Sequence, residues 1–233
     1  MVGPVAAKAA RHPVQRGRDR KRKEKIVAVY MIADIRIINR QRYDEYRAVM
    51  RGAIQVNGGR YVVRTSKVQV VEGNWAPPRL VVIEFPGAAA ALAFRQSSEY
   101  AEARRVCSNA AMVDMVLVEG VDPPPPALPD TGLPTYLISD ARIINPERFE
   151  EYRRVAAREL TQYGGRYLVR DGGIEVVEGG WQPTRLSMVE YPSRAVLDAR
   201  LASEEYIRTR DMRANAAMVD RVLVEGWPPE AGL

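Results

Sequence analysis

The sequence contains few of the side chains on which enzymes most often rely for catalysis and metal binding. Its 233 residues include one cysteine, Cys107, and one histidine, His12. A single cysteine allows no disulfide within the chain, which is typical of a reducing cytoplasm. With no histidine after residue 12, neither a Ser-His-Asp or Cys-His relay nor a histidine-ligated metal site is expected. We therefore predict no metal and no cofactor, and we interpret Cys107 as a helix-packing residue.

Long hydrophobic runs are also missing, and the positive charge is confined to one end. No apolar run approaches the roughly 20 residues of a membrane-spanning helix, and the first 25 residues lack an apolar core of secretory type. These absences predict a cytoplasmic protein without a membrane partner. The net charge is +6, but residues 1–25 alone carry nine Lys/Arg against two acidic residues. The remaining 208 residues are therefore nearly neutral.

The basic segment 1–25 has no apolar periodicity, which predicts a disordered tail. One interpretation is an arm for nucleic acid or an anionic surface, and the other is a solubilising leader. The lack of interleaved aromatic residues, which would stack on bases, favours the second. We expect no nucleic-acid binding by the folded part of the chain.

The dominant positive feature is an internal duplication at a constant offset of 106 residues. Between residues 30–120 and 136–226, 45 of 91 aligned positions are identical, without a gap. Gly-Gly-Arg-Tyr at 58–61 recurs at 164–167, and Glu-Gly-x-Trp-x-Pro-x-Arg at 72–79 recurs at 178–185. A repeat of this length is a domain rather than a solenoid unit.

Each copy predicts the order βαββαβ, the ferredoxin-like pattern of an α+β protein. In the first copy, strands are expected at 26–37, 60–71, 79–85 and 113–119. A helix is expected at 40–56 after the N-cap Asn39, and a helical region at 88–111 is expected to break near Ser97. The predicted organisation is a tail at 1–25, repeats at 26–120 and 136–226, a proline-rich linker at 121–135 and a C-terminal tail at 227–233.

A lone ferredoxin-like sheet leaves one face uncovered. A second, equivalent sheet on the same chain offers the simplest cover, and the linker is long enough to cross one small domain. We therefore predict two repeats packed sheet-to-sheet as a pseudo-dimeric α/β barrel within one chain. Further homo-oligomerisation is left open.

The repeated motifs resemble the family called domain of unknown function 1330, of the dimeric α/β-barrel superfamily. Besides the two motifs above, Glu84-Phe85-Pro86 and Ser97-Ser98-Glu99-Tyr100 carry the resemblance, with their counterparts 106 residues later. In the usual family member two chains pair, so the resemblance implies that two halves of one chain pair here. The superfamily hosts cofactor-free oxygenases, isomerases, dehydratases and ligand-binding regulators.

Strand alternation predicts which polar side chains point into the barrel. We expect Asp34, Glu84, Asp140 and Glu190 to be candidate catalytic acids or bases. Arginines and tyrosines on the same faces, together with the Trp and Arg of the loop motif, would hold a carboxylate, enolate or phenolate. These candidate substrate-binding residues are Tyr30, Arg60, Arg64, Trp75, Arg79, Tyr136, Arg166, Arg170, Trp181 and Arg185.

The same residues have a structural alternative. Asp34 or Glu84 would form ion pairs with Arg60 or Arg64 inside the barrel, and Arg79 would pair with Glu72. For these side chains we slightly favour the ion pairs. For the protein as a whole we favour a small-molecule protein, a cofactor-free acid–base enzyme of isomerase, cyclase or lyase type, acting on a carbonyl or aromatic metabolite in a biosynthetic pathway. The alternative is a non-catalytic ligand-binding, accessory or regulatory module. Substitutions between the halves, such as Val81/Ser187 and Phe94/Arg200, leave open which half would hold the pocket.

Overall fold

The computed structural model describes residues 27–129 and 132–228. The predicted disordered tail at 1–25, including His12, lies outside the described residues, as does most of the C-terminal tail. No helix within the described ranges is long and apolar enough to cross a membrane. The first repeat contains β1 (Val29–Ile37), α1 (Arg40–Val56), β2 (Arg60–Thr65), β3 (Gln69–Glu72), β4 (Leu80–Phe85), α2 (Ala88–Gln96), α3 (Ser98–Cys107) and β5 (Ala111–Glu119).

The second repeat follows the same order, so the α+β prediction is confirmed. Its elements are β6 (Thr135–Ile143), α4 (Pro146–Gln162), β7 (Arg166–Arg170), β8 (Ile174–Glu178), β9 (Leu186–Tyr191), α5 (Arg194–Leu201), α6 (Glu204–Arg213) and β10 (Ala217–Glu225).

Local sequence explains the limits of the long helices. The Asn39 side chain accepts a hydrogen bond from the Arg42 backbone N–H at 3.1 Å, which satisfies a donor at the start of α1. Asn145 caps α4 in the same way through Arg148, also at 3.1 Å. In the first repeat the helical region breaks at Ser97, whose hydroxyl caps α3 through the Tyr100 N–H. The start of α1 and the break agree with the predicted positions.

The two sheets exchange a strand with each other. One sheet has the order β2-β4-β1-β5-β8 and the other β3-β10-β6-β9-β7. Thus β3 of the first repeat pairs with β10 of the second, and β8 of the second pairs with β5 of the first. The exchange is reciprocal, and it ties the two halves together through backbone hydrogen bonds.

The faces of the two sheets cover each other, which confirms the intrachain pseudo-dimeric barrel. Sixteen buried hydrophobic side chains from both repeats form the cluster between the sheets, among them Ile32, Leu80, Ile138 and Met188. Trp75 and Trp181 pack at its margin and stack on each other with ring centroids 4.9 Å apart. Most of the space between the sheets is therefore occupied by apolar side chains.

One prediction about strand faces is wrong because β2 and β7 each contain a bulge. The register of β2 on β4 shifts between Tyr61 and Val63, so Val62 and Val63 both enter the inter-sheet cluster. An extra residue reverses the alternation of the residues after it. Arg64 consequently lies on the helix side of the sheet with Tyr61, whereas Arg60 stays with Glu84 on the other side. The equivalent bulge in β7 separates Arg170 from Arg166.

The helix-side cores of the two repeats differ in continuity. In the first repeat, 22 buried hydrophobic residues form one cluster beneath the helices. In the second repeat the hydrophobic residues fall into two separate clusters of six and four. Between them lie buried polar side chains, including Arg213 and Arg221, so the second repeat has lost the continuity of its helix-side core.

Candidate functional site

One end of the barrel holds two charged clusters related by the internal symmetry. Arg60 forms an ion pair with Glu84 at 2.6 Å, which the structural alternative predicted. In the second repeat Arg166 pairs with Glu190, which also accepts a hydrogen bond from the Tyr136 hydroxyl at 3.0 Å. Each of these carboxylates is already engaged by the protein.

The tyrosines at this end are held in their neutral form. Burial and the neighbouring Glu84 raise the pKa of Tyr30. Burial and Glu190, which also accepts its hydrogen bond, raise the pKa of Tyr136. A phenolate is therefore disfavoured at both positions.

The other end of the barrel is organised by the tryptophan loops. The Trp75 indole N–H donates to Asp34 at 3.2 Å. Asp140 accepts the backbone N–H groups of Thr184 and Arg185, each at 2.9 Å. These two carboxylates thus fix loops, and burial raises the pKa of Asp34.

The remaining candidate arginines lie on the helix side. Arg64 sits over the Tyr61 ring at 4.9 Å, and Arg79 over the Tyr43 ring at 5.7 Å. The predicted pairing of Arg79 with Glu72 is wrong, because the exchange of β3 carries Glu72 to the second repeat, where it accepts from Arg213 at 2.6 Å. The structure therefore divides the candidates into two barrel ends and a helix-side group.

The helix side of the second repeat contains a cleft between its sheet and α4. It encloses about 440 Å³, counting the space open to solvent at its mouth. The part of that space open to the centres of water molecules is about 50 Å³. Five arginines and one aspartate line it, together with aromatic and small polar side chains. The lining residues are Ser139, Ala141, Phe149, Tyr152, Arg153, Tyr167, Arg170, Asp171, Arg185, Ser187, Arg213, Val219 and Arg221.

The equivalent cleft of the first repeat, about 400 Å³, is largely apolar. Its lining is Met31, Ala33, Ile35, Tyr43, Tyr46, Arg47, Met50, Tyr61, Arg64, Val81, Ile83 and Met115. At matching positions the second repeat replaces Val81 by Ser187 and Met115 by Arg221. The same fold position is therefore a hydrophobic pocket in one half and a polar cleft in the other.

Arg221 connects the floor of the polar cleft to its neighbours. It is buried, and it donates to the Ser139 hydroxyl at 2.9 Å and to the Tyr206 hydroxyl at 3.0 Å. It also lines the cleft together with Tyr152, whose pKa its positive charge lowers. Arg213 is only 2% exposed, and its Nε has no hydrogen-bond partner among the described residues. The cleft is thus lined by buried guanidinium groups, one of which keeps an N–H without a partner among the described residues.

Asp171 organises the mouth of the cleft. Its carboxylate pairs with Arg153 at 2.5 Å and with Arg185 at 2.6 Å. Arg170 lies over the Tyr167 ring at 4.7 Å. Arg153 and Arg185 at the mouth are already paired with Asp171. A carboxylate bound there would therefore pair with Arg170.

Among the residues predicted from the sequence, Arg170 and Arg185 line this cleft, whereas most of its other lining residues were not predicted. Tyr152, Arg213 and Arg221 were not among the candidates, because helix and strand periodicity assigns them to the core. A signal for them was present in the duplication, since Arg213 and Arg221 replace two core residues of the first repeat, Cys107 and Met115, at the offset of 106 residues.

Solved structures similar to this chain have low sequence identity. A heme-binding protein from Thermus thermophilus shares 11% identity, covering 88% of this chain and 93% of that chain, with a TM-score of 0.43. An anthrone oxidase-like protein shares 10%, covering 88% and 93%, with a TM-score of 0.48. A protein of unknown function from Rhodopseudomonas palustris shares 14%, covering 44% and 89%, with a TM-score of 0.37. With TM-scores below 0.5, these similarities carry no conclusion about activity.

No curated protein shows significant sequence similarity to the chain. A family description does match, and it matches twice. The family described as Domain of unknown function (DUF1330) covers residues 28–121 and again residues 134–227. The two matches coincide with the two copies of the duplication and together span most of the chain. The protein therefore belongs to the DUF1330 family, as a tandem pair of its domains.

Proposed function

We propose that the cleft of the second repeat binds a small organic anion and performs acid–base chemistry on it, as an isomerase, cyclase or lyase. The observation that carries this proposal is the contrast between the repeats: Met115 and Cys107 are replaced by buried arginines, Arg221 and Arg213, that line one cleft. The first repeat folds without those charges. Their presence in the second is therefore best explained by a ligand.

The chemistry of the lining suggests the ligand class. Arg170 and its neighbours suit a carboxylate, enolate or phenolate, because guanidinium groups bind such oxygens in a planar, bidentate manner. Phe149, Tyr152 and Tyr167 offer flat apolar surface for an aromatic ring. We infer an aromatic or carbonyl-containing carboxylate as substrate.

The cleft favours catalysis over simple binding. Asp34, Glu84, Asp140 and Glu190 are occupied by protein partners at the barrel ends, so we place the reactive group elsewhere. Tyr152 stands in the cleft among the arginines, where a hydroxyl can exchange a proton with a bound molecule. A pocket of arginines without such a group would instead suit a carrier or regulator.

Binding of phenylpyruvate, which combines an aromatic ring, a ketone and a carboxylate, tests the proposal. Calorimetric titration of the full chain is expected to give one site, and Arg170→Ala is expected to weaken it about 10- to 100-fold. This is the cost of losing about 1.5–3 kcal/mol of charged hydrogen bonding. Arg64→Ala, the same change at the matching position of the first repeat, is expected to leave the affinity unchanged. Equal losses in both variants, or no saturable binding, would contradict the proposal.

A further inference from the structure

Tyr152 lines the cleft, and arginines from several elements lie near it. It lies on α4 beside Phe149, with ring centroids 5.5 Å apart. The Arg213 guanidinium on α6 lies 5.6 Å from the centre of its ring. Arg221, on β10, lines the same cleft as Tyr152. The phenol therefore faces guanidinium groups from both the helix layer and the sheet.

The first repeat contains the same tyrosine without the cations. Tyr46 stands 106 residues before Tyr152, and the positions that match Arg213 and Arg221 are Cys107 and Met115. Burial raises the pKa of Tyr46 well above its ordinary value, and Cys107 adds to this effect. The chain thus holds a neutral, buried reference tyrosine at the symmetry-related position.

The charges around Tyr152 reverse that tendency. Burial again opposes ionisation, but the positive charges of Arg221 and Arg213, with a contribution from Arg200, outweigh it and lower the pKa of Tyr152. The groups that act on Tyr152 or lie near it are Arg200 on α5, Arg213 on α6, Arg221 on β10 and Tyr167 on β7. Glu72 on β3 and Tyr206 on α6 contact these arginines, and Arg153, Arg170, Asp171 and Arg185 line the same cleft. Cations predominate in this set, which favours the phenolate.

The first repeat supplies one part of this arrangement. Glu72, on the exchanged strand β3, accepts a hydrogen bond from Arg213 at 2.6 Å and lies 4.0 Å from Arg221. It holds the two arginines beneath the tyrosine while leaving the net charge of the group positive. Glu72 of the first half therefore anchors an arginine that lines the cleft of the second half.

We propose that Tyr152 is the acid–base group of the cleft and that its substrate is a carbon acid, an anion with a C–H bond next to a carbonyl group. This inference rests on the proposed function. The Tyr152 phenolate oxygen takes the proton from that carbon, and the C–H electron pair moves into the carbonyl to give an enolate. The neighbouring arginines balance the negative charge. The tyrosine hydroxyl then returns the proton to the same or a conjugated carbon, so that no other reactant is consumed.

The exchange of the phenylpyruvate methylene protons with deuterated solvent, followed by NMR on the full chain, measures this step directly. The unmodified protein is expected to accelerate the exchange. Tyr152→Phe is expected to reduce the catalysed rate by about a hundredfold or more, with the affinity for phenylpyruvate changing far less. Tyr46→Phe, the matched change in the first repeat, is expected to leave the rate unchanged. Circular dichroism of both variants checks that they are folded.

A second variant separates the acid–base role from a structural one. Arg221→Met restores the residue that the first repeat has at this position, and it is expected to move the exchange profile to higher pH because the phenolate loses its main stabilising charge. Ultraviolet titration of tyrosinate is expected to show one early-ionising tyrosine that Tyr152→Phe removes.

The outcomes distinguish the two proposals. Phenylpyruvate that binds without accelerated exchange, exchange that survives Tyr152→Phe, or an early-ionising tyrosine that persists in this variant would overturn the role of Tyr152 alone. The absence of any binding would remove the proposed function, and the acid–base role with it.

Discussion

Burying an arginine in a protein core costs free energy, and the two halves of this chain differ in whether they do so. Phe94, Cys107 and Met115 fill the helix-side core of the first repeat, and arginines occupy the matching positions of the second. Two of these arginines have carboxylate partners: Arg200 pairs with the buried Glu159 at 3.1 Å, and Arg213 with Glu72. Replacing buried ion pairs by hydrophobic residues is often neutral or stabilising by about 1–4 kcal/mol. The first repeat shows that the fold accepts that replacement, so stability does not explain the arginines.

Asp34 offers a residue-scale prediction about pH. Burial raises its pKa, while the Trp75 hydrogen bond acts in the opposite direction. The folded protein therefore binds this proton more tightly than the unfolded chain does. The contribution to stability is complete below the unfolded value of about 3.9 and is lost as the pH rises through the raised folded value.

Asp34→Asn removes this titration and keeps an oxygen that accepts from Trp75. We expect its free energy of unfolding near pH 7 to be equal to that of the unmodified protein or higher, by up to about 1 kcal/mol. The difference should shrink as the pH falls towards about 4. Urea denaturation at both pH values measures it. A clear loss of stability at neutral pH would mean that the Asp34 charge stabilises the fold.

At the scale of elements, the exchanged strands are fixed by two aspartates. Asp220 accepts the backbone N–H groups of Asn74 and Trp75, which follow β3, and Asp114 accepts those of Gly180 and Trp181, which follow β8. Each aspartate belongs to the opposite repeat from the loop that it holds. Hydrogen bonds to a charged acceptor contribute about 1.5–3 kcal/mol, so these contacts help to keep the exchange in place.

The turn after β8 gives a prediction with an adjacent control. Gly179 has φ of 82°, and a Cβ there would lie 2.2 Å from Asp114 Oδ1 and 2.6 Å from the Val113 carbonyl oxygen. We expect Gly179→Ala to lower the free energy of unfolding by about 2–4 kcal/mol. Gly180→Ala meets nothing within 4 Å and should change it by less than about 0.5 kcal/mol. Equal denaturation midpoints for the two variants would contradict this account of the turn.

These elements also show how far sequence reasoning reaches. The start of α1 after Asn39 and the break at Ser97 were predictable, because capping is encoded within a few residues. The bulge at Val62 was not predictable, because Val62 and Val63 are apolar residues whether or not the strand contains an extra residue there. The exchange of β3 depends on packing between distant halves, so Glu72 was assigned to the wrong neighbour. The cleft was not predicted, because its arginines occupy positions that helix and strand periodicity assigns to the hydrophobic core.

At the scale of the whole molecule, neither repeat is complete alone. Each sheet buries its inner face against the other and borrows its edge strand from the other repeat. A pair of separate domains could not place Glu72 of one half against Arg213 of the other. With both repeats on one chain, the second repeat can diverge in sequence while the first repeat covers its sheet and supplies Glu72.

A first repeat expressed alone, residues 27–129, tests this dependence. It is expected to form a homodimer that exchanges β3 between two copies, or to aggregate, because its inner face would otherwise be exposed. Analytical ultracentrifugation distinguishes these states, and the full chain serves as the reference. A stable, folded monomer would show that the inter-sheet contact is dispensable.

The central claim is that the ligand site lies on the helix side of the second repeat, and a crystal structure of the full chain with bound phenylpyruvate tests it most directly. We predict the ligand between α4 and the second sheet, with its carboxylate at Arg170 and its methylene carbon beside the Tyr152 hydroxyl. Phenylpyruvate bound between the sheets near Arg60 and Arg166, or in the first-repeat cleft beside Tyr46, would contradict the account.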